Sequence, residues 1–124
     1  MGYGPTWPTD RAVVWTRDLE RCVLCGQRVQ DGHHREVQGM GGRAHDDDRH
    51  RPDRVLSVCR VDHGLIHGAD RELATALGYF VDHSDLTVTS EDQPVWYKAE
   101  KCWFLLTPGG TRLYHQQPAP KEEL

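Results

Sequence analysis

Apolar residues are spaced for helices at two places along this chain and otherwise come in short bursts separated by turn formers. Ala12, Val13, Val14, Trp15 and Leu19 predict a first helix, capped by Thr9 or Asp10 and ending near Arg21. Residues 1–8 (MGYGPTWP) precede it with glycines and prolines and read as an irregular arm. After the helix, 22-CVLCG-26 reads as a tight knuckle that turns two sulfurs toward one point. A short strand is expected from Arg28 to Arg35, then a glycine- and aspartate-rich loop from Val37 to Asp53. A loop of that length without periodicity of its own is usually functional or disordered.

Order resumes at 54-RVLSVC-59, a short strand rich in β-branched residues, and 60-RVDHGLIHGADRELATALG-78 then reads as one helix. Leu65, Ile66, Leu73, Ala76 and Leu77 supply its apolar face, and Gly78 suits the position after its end. Beyond it, short strand-like runs alternate with turns: 86-LTVT-89, 94-PVWYK-98, 102-CWFLL-106 and 112-RLYH-115. The turn 108-PGGT-111 between two apolar runs predicts a hairpin. The proline-rich, charged tail 116-QQPAPKEEL-124 reads as disordered. The divisions are an arm over 1–8, a core over 9–78, a small β extension over 79–115 and a tail over 116–124. The fold class is α+β.

Composition narrows the function. At 124 residues the chain supports one modest core. No apolar run is long enough to span a membrane, and the N-terminus lacks a charged segment followed by an apolar one, so a cytoplasmic protein is expected. A net charge of −4 argues against a polycation that coats nucleic acid, but leaves room for a local phosphate site. Most of the basic residues are arginines, crowded between Arg17 and Arg71 among interspersed acids; the planar arginine fork suits phosphate.

The chemistry-bearing residues form a pattern. His63 and His67 stand four apart on the second helix, which puts both imidazoles on one face about 6 Å apart at Cβ, the separation two ligands of one metal ion need. A Cys-x-x-Cys knuckle precedes the pair His33-His34, a glycine-rich loop follows, and a short strand ends in Cys59 just before that helix. Four cysteines in a cytosolic chain point to zinc more often than to disulfides.

In this order, 17-RDLERCVLCG-26, 33-HHREVQGMGG-42 and 55-VLSVCRVDHGLIHG-68 resemble the HNH family of metal-dependent nucleases, most closely the small endonucleases encoded by bacteriophages. The later GYF…QPVWY…WFLLTPGGT portion looks like the β tail of those proteins. The resemblance implies a ββα-metal (His-Me finger) core and an endonuclease that hydrolyses DNA to 5′-phosphate and 3′-hydroxyl ends. It implies that His33, His63 and His67 hold a divalent metal (Mg, Mn, Ni or Zn) and that His34 is the general base. Adjacent strand residues face opposite ways, so spacing alone leaves the roles of His33 and His34 interchangeable. Arg35, Gly41, Gly42, Arg43 and Arg54 would meet nucleic acid, the glycines, with Gly39, allowing close backbone approach. A structural zinc would rest on Cys22, Cys25, Cys59 and either Asp62 or Cys102. Phage packaging proteins such as the terminase are partners the resemblance suggests.

Two departures qualify it. Where the family carries asparagine before the second strand, this chain has Arg54, within 52-PDRV-55. Arginine has no lone pair for a cation, and the neighbouring Asp53 is the residue that could compensate. Where relatives repeat Cys-x-x-Cys, the fourth position is Asp62. A nucleic-acid binding module of weakened catalysis, or an accessory of phage assembly, is the alternative these departures leave. His45, His50, His83 and His115 carry no assigned role and read as solvent-exposed.

Overall fold

Strand β2 (Val55–Val58) takes part in both apolar clusters of the described residues. It pairs antiparallel with β1 (Asp31–His34), placing His33 opposite Leu56 and His34 opposite Val55. Its alternation serves two packings. Val55 joins Trp7 and Val14 of helix α1 (Trp7–Arg17), while Leu56 and Val58 enter the larger core. Helices α2 (Arg60–Gly68) and α3 (Arg71–Ala76) follow. Strands β3 (Val95–Tyr97), β4 (Cys102–Leu106) and β5 (Arg112–His115) form a second antiparallel sheet in that order. The computed structural model describes residues 7–36, 47–81 and 88–124. It is a mixed α+β architecture with two small antiparallel sheets. No helix among the described residues is long and apolar enough to cross a membrane.

The larger core gathers Val23 and Leu24 of the knuckle, Leu56 and Val58 of β2, Ile66 of α2, Ala74 and Leu77 of the α3 region, and Val95, Trp96, Tyr97, Trp103 and Leu106 of the second sheet. Arg17 and Asp18 tie the pieces together. Arg17 grips Asp18 through Nε and Nη2 (2.9 and 2.8 Å) and donates to the carbonyls of Pro52 and Val55 (both 2.7 Å). Asp18 also accepts from the Ser57 backbone N–H (3.1 Å) and from the Tyr97 hydroxyl (2.5 Å). A buried charge pair is tolerable when further hydrogen bonds surround it in this way.

That network explains why the first helix ends earlier than its pattern predicts. It begins at Trp7, within the segment expected to be an arm, and ends at Arg17 rather than near Arg21. Arg17 and Asp18 are drawn inward, and Leu19 and Glu20 turn the chain with φ of 61° and 58°. The expected strand at 28–35 is confined to Asp31–His34. The single helix expected over 60–78 is two, because Ala69 and Asp70 adopt extended backbone after Gly68. The break lets Ala74 and Leu77 reach the core. Gly78 closes the second helix with φ of 85°, where a Cβ would lie 2.1 Å from the Pro94 carbonyl oxygen.

Among the expected strands, 86-LTVT-89 lies partly outside the described residues, and Val88 and Thr89 are not in a strand. The Pro-Gly-Gly segment does turn β4 into β5, with Leu106 opposite Arg112. The tail expected to be disordered instead packs back: Trp103 Nε1 donates to the Pro118 carbonyl (2.9 Å), Trp96 Nε1 to Glu123 (2.8 Å), and Leu124 lies against the core. Two indole N–H groups would otherwise lack partners, which is what the tail satisfies.

Candidate metal centres

The knuckle is shaped by its own backbone. Gly26 sits at φ 78° with its N–H on the Cys22 carbonyl (2.9 Å), and the Cys22 N–H closes onto Gln27 (2.6 Å). Cys59 precedes the first residue of α2 and its sulfur accepts from the Asp62 N–H (3.4 Å). Asp62 Oδ2 is 3.3 Å from Cys22 Sγ, and Cys25 Sγ is 3.7 Å from Cys59 Sγ. One ligand atom from each of Cys22, Cys25, Cys59 and Asp62 lies within 4.8 Å of the others. Cys102, the alternative fourth ligand, is outside this group and donates to the Glu100 carbonyl (3.4 Å).

Burial raises the thiols of Cys22 and Cys25, the latter to about 12. Burial also works to raise Asp62, but hydrogen bonds from Cys25, Cys22 and Cys59 outweigh it and hold the carboxyl below its usual range. Without an ion the corner therefore sets the Asp62 carboxylate beside the Cys22 and Cys25 thiols. Thiolate is the ligating form, and a bound cation deprotonates a coordinating thiol outright. The donor set fits tetrahedral zinc.

The second group forms where β1 meets α2. His33 is fully buried, with Nε2 at 2.6 Å from the Tyr79 carbonyl oxygen. A carbonyl only accepts, so Nε2 carries the proton and Nδ1 carries the lone pair. That Nδ1 is buried with no hydrogen-bond partner. The rings of His63 and His67 stand 5.4 and 5.2 Å from that of His33 and 5.0 Å from each other. Ligand nitrogens of the three lie within 4.8 Å of one another. His63 Nδ1 is 3.2 Å from Asp31 Oδ2, so it donates there and leaves Nε2 as its lone pair. Histidines that bind metals are oriented through their other nitrogen in this manner. Phe80 backs His33 and His67, and the Arg71 guanidinium lies 3.7 Å over its ring. Burial, then the neighbouring imidazoles, depress His33 to about 3; His67 is lowered by burial, His63 and Arg71. Neutral imidazole is what a metal takes, and an orphaned buried lone pair facing two more fits one.

His34 does not join them. Neighbours on a strand alternate faces, so His34 turns away from the side on which His33 meets His63 and His67. Its ring lies 5.8 Å from Trp7 and 5.0 Å from His50, with Nε2 at 2.9 Å from His50 Nδ1. Gly32 makes room for this packing, because a Cβ there would lie 2.5 Å from the Trp7 ring. Burial, then His50, Arg49 and His63, push His34 down to about 4. It is neutral at physiological pH, and close enough to His63 to be lowered further by it.

The expected nucleic-acid contacts fare differently. Arg35 is fully buried and donates to the carbonyls of Gly78, Asp53, Ser90 and Gln93, each at 2.8 Å. It clamps the fold and offers nothing to a nucleic acid, a correction. Arg54 Nε faces Glu36 Oε2 at 3.2 Å. Asp53 is buried and held by Arg51 (2.6 and 2.8 Å), so it braces the loop and is not among the ligands. Gly39, Gly41, Gly42, Arg43, His45 and His83 lie outside the described residues. His50, expected at the surface, is buried. Asp31, Tyr79 and His50 were missed; only Asp31, two residues before His33 on the same strand face, left a readable signal. No protein-family model, curated protein or solved structure matches this chain.

Proposed function

We propose that this chain is a metal-dependent endonuclease of the HNH type that hydrolyses DNA phosphodiester bonds. The observation that carries the reading is the His33 Nδ1 lone pair, buried without a partner and facing His63 and His67, with a neutral fourth histidine on the adjacent residue. A divalent cation on His33, His63 and His67 would stabilise charge on the phosphate and on the leaving 3′ oxygen.

The chain's own residues supply the rest. His34 is the residue placed to take the proton of the attacking water, its Nε2 lying 2.9 Å from His50 Nδ1. Burial keeps it unprotonated at the pH where it works, which a general base requires. Tyr79 and Asp31 hold His33 and His63 in the ligating tautomer. Arg71, exposed beside His67 and seated on Phe80, is placed to take a phosphate oxygen. The Cys22, Cys25, Cys59 and Asp62 corner binds zinc and anchors the start of α2, which delivers His63 and His67.

Supercoiled plasmid incubated with Mg, Mn, Ni or Zn tests the reading. Nicking is expected, abolished by chelator and restored by added metal, with imidazole ligands favouring the transition ions. Cleavage that persists through prolonged chelation removes the mechanism. Plasmid retained on the protein but uncut with every metal leaves the binding module instead, the outcome that Arg54 at the asparagine position favours.

A further inference from the structure

The two histidines of α2 stand between two arginines. Arg60 lies three residues before His63, and Arg71 four residues after His67. That spacing is the helical repeat that keeps side chains on one face. The helix breaks after Gly68, but contacts hold both arginines on the histidine side. Arg60 Nη2 is 3.4 Å from Asp31 Oδ1, and the other oxygen of that carboxylate is the partner of His63 (3.2 Å). The Arg71 guanidinium lies 3.7 Å over the Phe80 ring, on which His33 and His67 also pack, at 5.0 and 5.7 Å. Both arginines are exposed, the Arg60 side chain by 73%. Its long, solvated contact with Asp31 holds it only weakly. Among the described residues Arg71 makes no ion pair, although Asp70 and Glu72 flank it in sequence. Each fork of donors is therefore kept for something that is not part of the chain.

We propose that Arg60 and Arg71 are positioning residues that grip the phosphates on either side of the one cleaved, so that the substrate is a polynucleotide strand laid along α2. The proposal deepens the reading of the histidine corner as a nuclease site and rests on it. From Arg60 to His67 the helix rises about 10 Å. One strand of a duplex carries a charge every ~3.4 Å of its axis, so a run of roughly three phosphates spans the bracket. The middle one meets the histidine corner, and its neighbours meet the two guanidiniums, whose planar forks match phosphate oxygens. Arg60 also covers the Asp31 carboxylate, which would otherwise repel the strand. Contacts to phosphate fix the register of a nucleic acid without reading its bases. The bracket therefore selects for a continuous backbone over an isolated diester, and is indifferent to sequence.

The salt dependence of binding counts such contacts. Anisotropy of a fluorescein-labelled phosphorothioate DNA duplex, titrated with the full zinc-loaded chain at several salt concentrations, gives the slope of log K against log salt. Arg60→Gln and Arg71→Gln should each flatten it by about 0.9, and the double variant by about 1.8. Arg60→Lys and Arg71→Lys should restore the slope, because the charge returns. Arg11→Gln, at an exposed position on α1, should leave it as in wild type. In kcat/KM, wild type should prefer a tetranucleotide, with three phosphates, to bis(p-nitrophenyl) phosphate, and the double variant should lose that preference. A slope unchanged in either glutamine variant overturns the bracket, and so does an equal loss in Arg11→Gln, since any surface arginine would then serve. Wild type that cuts DNA while the variants keep the full slope removes the bracket and leaves the nuclease. The expected slopes in a chain that cuts nothing uphold the bracket and remove the nuclease, so the two failures are distinguishable.

Discussion

The cysteine corner and the histidine corner share helix α2 and differ in almost everything else. Cys59 and Asp62 at its start face one group, and His63 and His67, further along, face the other. The first corner has four ligands and can close a tetrahedron. The second has three, two of them held by Tyr79 and Asp31 in the tautomer that presents a lone pair. Three sulfurs and a carboxylate would close around a structural zinc as a staple, whereas three imidazoles would leave a cation room for a reactant. On the proposed reading, the difference teaches that α2 is fixed at one end so that it can be exact at the other.

Removing the staple should have the largest effect. Cys22→Ser or Cys59→Ser is expected to lower stability by several kcal/mol, because binding a structural zinc is folding free energy. Elemental analysis should show the loss of one zinc, and thermal unfolding the loss of stability. Elemental analysis finding no zinc in wild type, with Cys22→Ser as stable as wild type, would erase the contrast between the corners.

Within the histidine corner the split is between His34 and His67. His34→Ala should cut plasmid cleavage by about 10²–10⁴-fold with metal affinity unchanged. His67→Ala should weaken both together, with excess metal restoring part of the rate. Calorimetric titration of manganese beside the cleavage assay separates them. Loss of metal in His34→Ala with retention in His33→Ala would swap the two roles.

Asp31→Ala sharpens the comparison at smaller amplitude. Freed from its carboxylate partner, His63 should bind metal roughly 10–100-fold more weakly, the usual scale for such partners. Stability should hardly move, since Asp31 is at the rim.

A further effect is in pH. His33 and His34 have folded-state pKa values lowered to about 3 and about 4 from an ordinary 6.5. Between 6.5 and those values the unfolded chain binds protons that the folded chain refuses, so stability is full above about pH 6.5 and is lost as pH falls toward 4. Urea unfolding at several pH values should show it, and His34→Gln should flatten part of the slope.

Much of both corners was legible because ligand spacing is local: Cys22 with Cys25, and His63 with His67, are set by a turn and by a helical repeat. The α+β class followed from short alternating bursts such as 94–98 and 102–106. What escaped depends on contacts distant in sequence. Arg35 looks like a surface charge beside a histidine pair, and only the carbonyls of Gly78, Ser90 and Gln93 make it an interior clamp. His50 sits in a segment with no periodicity, so nothing local marks it as the partner of His34. The tail's composition suggests solvent, yet Trp96 and Trp103 need its acceptors. The break after Gly68 was hidden because Leu73, Ala76 and Leu77 continue a plausible helical face.

The Asp18 carboxylate has a consequence for the order in which the chain folds. It accepts from Tyr97, 79 residues away, as well as from Arg17 beside it and from Ser57. Until β3 arrives, the carboxylate lacks one of its donors, and burying it early leaves an ion poorly solvated. Closing so long a loop is slow, and its reward comes only at closure. The N-terminal half should therefore have no stable folded state of its own, and the molecule should melt as a unit, near-ultraviolet and far-ultraviolet circular dichroism giving one midpoint. Tyr97→Phe should lower that single midpoint without splitting it; two separated transitions would show that the halves fold alone.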